Sequence, residues 1–320
     1  MLKLISLGSL AALFFSSTFV INRALSLQGG HWAWTSSLRF GFMLLMLIII
    51  LLATQGKKVL ADVKDVFLKH WLFWVISGSI GFGVFYSLIT FSSQYVAGWV
   101  VATTWQTTIL ATPIVLLLFG RSVPRSGLVF TGIIFIGIVL VNIEHAALTS
   151  VREVLLSALP VLGAAFAYPI GNQLVWESRK GNHPRLPHIT HPILENAFAR
   201  VLLLTLGSLP FWAGLLLFTS PPPPSTDQLI STALVALLSG VIATTLFLYA
   251  RHLSHQPYEV AAVDSTQSLE VVFSLIGEII FLGGALPGWI GLAGILLTIL
   301  GLVAYISFQN KKPAQAEVTS

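Results

Sequence analysis

Between residues 259 and 282, five polar side chains recur at intervals of three or four: Asp264, Gln267, Glu270, Ser274 and Glu278. At 100° per residue they fall within an arc of roughly 120°, so a helix here carries three carboxyl groups and two neutral polar groups on one face. A charge at bilayer depth costs at least a few kcal/mol, so that face must meet a cavity or a partner, not lipid. A carboxyl held there can bind a proton or a cation, but not both at once, which is the chemistry of an exchanger. Glu270, about twelve residues into the segment, is the central group; Asp264 and Glu278 lie toward its two ends. The structural alternative pairs these acids with the intramembrane arginines Arg39 and Arg200, or uses them as hydrogen-bond caps between helices.

Facing groups for an organic solute are expected from Trp105 and Gln106 on one apolar run and from Tyr168, Asn172 and Gln173 on another. Aromatic faces hold organic cations, although an intramembrane Trp or Tyr also serves as packing or interface belt. Arg39 and Arg200 either tie helix ends together or bind a carboxylate. The run Gly78-Ser79-Ile80-Gly81-Phe82-Gly83 lies in mid-span, where glycines allow close helix packing and do not cradle phosphate. His183, His188 and His191, with His252 and His255, form a loose cluster without a matching acidic or Cys set, so no metal site and no cofactor are expected. The chain has no cysteine, and no nucleophile, base and oxyanion set is recognisable, so no catalytic residues are assigned and an enzyme is not expected.

The elements that position these groups follow from composition. Hydrophobic residues make up 55% of the 320 and charged residues 9%, far from the roughly 25% charged residues of a soluble domain. Apolar runs at 3–25, 32–53, 71–91, 98–119, 127–143, 154–176, 198–218, 229–250, 259–282 and 286–308 are each long enough to cross a ~30 Å hydrocarbon core as a helix. The first run exceeds the about 7–15-residue core of a secretory signal and lacks a small-x-small cleavage site, so it is expected to be retained. The fold class is therefore all-α, a polytopic membrane protein of ten transmembrane helices.

Basic residues sort by side. Lys57, Lys58, Lys64 and Lys69 follow the second run, Arg121 and Arg125 the fourth, Arg179, Lys180 and Arg185 the sixth, and Lys311 and Lys312 the tenth, whereas only Arg152 falls in a loop on the other side. The positive-inside rule then places both termini in the cytoplasm, and a net charge of +5 distributed this way leaves no nucleic-acid footprint. The halves also align: Asn22-Arg23 with Asn172-Gln173, Arg39 with Arg200, Gln106 with Gln267, and Pro124 with Pro287. Five helices per half is an odd number, so residues 1–150 and 151–320 are expected to be inverted repeats that together form one membrane domain.

On Arg39, Arg200 and the stretch Gly277-Glu278-Ile279-Ile280-Phe281-Leu282-Gly283 leading to Pro287 and Gly291, the sequence resembles the drug/metabolite transporter superfamily. The segment Ala167-Tyr168-Pro169-Ile170-Gly171-Asn172 is similar to its multidrug resistance efflux transporters. The resemblance implies export of small molecules through a five-plus-five helix fold. The halves differ at Glu278, opposite Leu117, and at Glu270, opposite Ile109, and such asymmetry favours function over scaffold. The expected activity is alternating-access export of cationic drugs or metabolites in exchange for protons, in the plasma (inner) membrane, with a homodimer admitted as an assembly. The alternatives are export of an anionic or zwitterionic metabolite on Arg39 or Arg200, a scaffold or scramblase, and an intramembrane enzyme.

Overall fold

The computed structural model describes residues 1–121, 128–181, 183–254 and 257–309; Pro124, Arg125, His255, Lys311 and Lys312 lie outside the described residues. The helices are α1 (Leu2–Leu27), α2 (Trp32–Gln55), α3 (Lys58–Lys69), α4 (Trp71–Ser92), α5 (Gly98–Leu118), α6 (Leu128–Leu148), α7 (Val151–Lys180), α8 (Ala197–Thr219), α9 (Thr226–Leu253), α10 (Pro257–Ser265, continuing as Leu269–Leu282) and α11 (Trp289–Gln309). Ten are long and apolar enough to cross a membrane, and among the described residues there is no strand.

The exception is α3, which lies between the second and third apolar runs. Val59, Val63 and Val66 are buried along one side of it, the i, i+4, i+7 stripe of a helix lying on a surface, with Lys58, Lys64 and Lys69 on the remainder. The sixth span is longer than its apolar run because local signals extend it. Ser150 and Glu153 form a reciprocal capping box at its start, and Gly181 ends it at a φ of +66°, a conformation that suits a residue without Cβ.

Two pairs of spans carry matching irregularities. The third and eighth contain π-helical segments at Ser79–Val84 and Ala236–Ala243. The fourth and ninth are interrupted, at Gln106–Thr107 and at the 3-10 turn Thr266–Ser268. The break in the fourth span falls at the glutamine matched with Gln267, and Pro113 sits inside the following helical segment. Pro160 and Pro169 likewise sit within a continuous α7.

Packing joins the two halves throughout. Helix α1 lies against α9 and α10, as α7 lies against α4 and α5; α2 pairs with α8, and α6 with α11. Exchanging the halves leaves this pattern unchanged, which is consistent with a repeat. The contacts are made close by glycine: Gly78 and Gly207 seat α4 on α8, Gly81 meets Gly171 where α4 crosses α7, and Gly137 faces Gly294 between α6 and α11. The glycine run of the third span is thus used for helix packing, its members serving different neighbours.

Candidate functional site

A cavity of about 680 Å³ occupies the centre of the bundle, within the 300–1,000 Å³ range of small-molecule sites. Its deep part is lined by Glu270, Gln267, Trp105, Gln106, Tyr168 and Asn172, and Arg39 faces it from α2. Asp264 and Arg200 line it nearer one end of the bundle, together with Arg179 and Arg251. Of the polar residues expected around the site, Gln173, Ser274 and Glu278 do not line it.

Glu270 is 7% exposed and makes no hydrogen bond or ion pair with any described residue. It opens the second segment of α10, directly after the 3-10 turn. Phe85, Trp105 and Tyr168 stand together on the wall, with ring centres 4.8 Å apart for Phe85 and Trp105, 5.1 Å for Phe85 and Tyr168, and 5.6 Å for Trp105 and Tyr168. Tyr168 is within electrostatic reach of Glu270. A carboxyl without a partner beside clustered ring faces suits an organic cation. The Nε2 of Gln267 is buried without a hydrogen-bond partner among the described residues, while Gln106 donates back to the carbonyl of Ala102 at 3.3 Å.

The remaining acids are engaged. Asp264 lies 3.4 Å from Arg251. Glu278 accepts the Gly98 amide at 3.0 Å, capping the start of α5, where N–H groups have no partner within the helix. Arg200 donates to the carbonyl of Leu194, fastening α8 to the preceding loop. There, the hydrogen bond and charge of Arg179 hold the Glu195 carboxyl below the usual carboxylate range.

Two acids were missed in the sequence. Glu177 is 0% exposed; it accepts Arg121 through both oxygens and the amide of Gln173 at 2.8 Å. Glu144 accepts the amides of Gly288 and Gly291 at 2.8 and 2.5 Å, capping α11. Glu144 and Glu177 close apolar runs, so sequence offers their position but not their partner. His183 and His191 each accept a nearby backbone amide, and among the described residues no three His, Cys, Asp or Glu side chains could share a metal ion.

The cavity is one-sided. It reaches the bundle end that carries Arg179, Arg200 and Arg251 and stops short of the other, where hydrogen bonds cross between helices. Arg23 donates to the carbonyls of Ser93 and Gln94 at 3.1 Å, Trp34 to that of Pro222 at 2.8 Å, and Gln228 to His31 and Thr35 at 2.9 Å. Below that seal, Asn22 and the Tyr86 hydroxyl are hydrogen-bonded at 3.1 Å.

A bundle of ten membrane-crossing helices folded around a central solute-sized cavity is the architecture of a membrane transporter. Residues 2–311 match the family described as "EmrE: Putative multidrug resistance efflux transporter", and the chain belongs to this family of drug/metabolite transporters. It is 39% identical, over the whole of both chains, to "Uncharacterized protein YjlA" of Bacillus subtilis (strain 168). It is 35% identical to an "Uncharacterized 42.1 kDa protein in intracellular alkaline protease 3'region" of Shouchella clausii, over 84% of this chain and 70% of that one. A solved structure described as "Crystal structure of protein" shares the fold, with a TM-score of 0.60 over 97% of this chain and 99% of its own at 14% identity. The protein is thus an integral membrane protein of a small-molecule efflux family.

Proposed function

We propose that the protein exports cationic organic molecules by alternating access and exchanges them for protons at Glu270. The observation that carries this reading is a buried carboxyl without a partner, beside an aromatic cluster, in a cavity open to one end of the bundle and tied shut at the other. Its charge, when present, is offset by a cationic guest, and a proton takes that place when the guest leaves. The breaks in α5 and α10 and the π-helical segments of α4 and α9 supply points at which the halves, residues 1–150 and 151–320, can rock about the cavity.

The open end is assigned to the cytoplasm, with both termini, because the basic loops lie on that side. Reporters fused after Lys311, within 55–70 and within 177–195 should read cytoplasmic, and one within 219–228 external. An external reading at 55–70 would reverse the orientation.

Transport itself is tested in proteoliposomes preloaded with ethidium or tetraphenylphosphonium. An inward proton gradient should drive the dye out against its own concentration gradient, and an uncoupler should stop it. A flux indifferent to the proton gradient would refute proton exchange, and the absence of any flux for the cation panel would refute cation export.

A further inference from the structure

Of the arginines Arg23, Arg39 and Arg200, two have backbone acceptors: Arg23 the carbonyls of Ser93 and Gln94, Arg200 that of Leu194. Arg39 has none. Its Nη1 donates to the Thr18 hydroxyl at 3.3 Å and its Nη2 to the Ser239 hydroxyl at 3.1 Å. Its guanidinium carbon lies 4.0 Å from the centre of the Tyr86 ring, and its Nε is buried without a partner. Among the described residues the ion pairs are Arg121–Glu177, Arg179–Glu195 and Arg251–Asp264, so no carboxylate neutralises Arg39. The guanidinium is oriented by groups from α1, α4 and α9 and lies in the cavity wall. Leaving such a charge uncompensated is costly unless a guest completes it.

The aromatic wall is continuous toward it. From Trp105 and Tyr168 it passes through Phe85 to Tyr86, whose ring centre lies 6.0 Å from that of Phe85, and Tyr86 carries Arg39 on its face. We infer that Arg39 binds a carboxylate or similar anionic group of the transported molecule, so that the substrate is amphoteric. Its aromatic or apolar body lies along the Phe85–Tyr86 wall, its cationic centre at Glu270 and its anionic group on the guanidinium. This rests on the reading of Glu270 as the cation site. It reconciles the two chemistries of the cavity, since a plain cation meets Glu270 but is repelled by Arg39, and a plain anion the reverse.

The test uses full-length protein in nanodiscs and a matched pair of probes: norfloxacin, with a piperazinium, a planar aromatic body and a free carboxylate, and its ethyl ester, which lacks the anion. Tetraphenylphosphonium serves as the plain cation. The acid should bind about tenfold more tightly than the ester, the worth of one charge-assisted guanidinium contact. In Arg39→Gln that ratio should fall to about one, while tetraphenylphosphonium binds at least as well as before. Arg39→Lys keeps the charge but loses the fork, and should retain only part of the preference. Equal binding of acid and ester by the unaltered protein, or binding of neither, overturns the inference, and this comparison decides even where an Arg39 variant fails to fold. If tetraphenylphosphonium binding still depends on Glu270 in that case, the cation reading survives; if Glu270→Gln leaves it unchanged, that reading falls as well.

Discussion

Glu270→Gln is expected to insert and fold normally while proton-driven transport drops to the level of empty liposomes. Glutamine keeps the volume and hydrogen-bonding reach of the side chain but cannot take up or release a proton. Nothing in the fold depends on the carboxylate, because no described residue pairs with it, in contrast to Glu177, Glu278 and Glu144, which hold other helices. The sign with pH follows from competition. In the unaltered protein, affinity for a cation falls as pH is lowered, because protonation removes the charge that binds it; in Glu270→Gln the affinity is low and flat with pH. Binding titrations at several pH values, with size-exclusion profiles as the check on folding, measure both. A well-folded Glu270→Gln protein that still pumps would sink the assignment and shift attention to Asp264, which would have to leave Arg251 to serve.

Gly207→Leu is expected to abolish folded yield. A Cβ at Gly207 would fall on the carbonyl of Trp74, and one at Gly78 on the Leu204 carbonyl and, at 2.7 Å, the Ser208 amide. The two glycines thus let α4 and α8 touch backbone to backbone. Overpacking usually costs about 1–3 kcal/mol where side chains can move aside. Here the obstacle is main chain, so the helices must separate and the contacts of Trp74 and Trp212, both buried in the core, are lost with them. Gly214→Leu, about two turns further along α8 with nothing within 4 Å of its added Cβ, should retain wild-type yield and melting temperature. Equal behaviour of the two variants would show that this crossing does not set the stability of the bundle.

The membrane-crossing helices were legible because each must carry its own run of about 20 apolar residues, whatever its neighbours do. Helix α3 escaped that reading: its stripe of Val59, Val63 and Val66 is too short to span and is diluted by Lys and Asp. The 3.6-residue period placed Asp264, Gln267 and Glu270 on one face, and all three line the cavity. Glu278 shares the stripe but lies about 12 Å further along the helix axis than Glu270, beyond the closed end, where it meets Gly98. The surroundings of Arg39 were not legible. Thr18, Tyr86 and Ser239 lie on three helices, and their convergence on one guanidinium depends on how α1, α4 and α9 pack. For the same reason Glu177 could not be matched in advance with Arg121, 56 residues away.

The hydrogen bonds that close one end of the bundle also determine where the protein waits. On the proposed cycle, exposing the cavity on that side breaks the bonds donated by Arg23, Trp34 and Gln228 and the one Glu278 accepts from the Gly98 amide, each worth about 0.5–1.5 kcal/mol net of what water returns. On the proposed alternating-access cycle, the empty protein is expected to rest presenting Glu270 to a single compartment. Such a resting bias would make it a sampler of one compartment's contents, with a turnover set by how often the closed end opens.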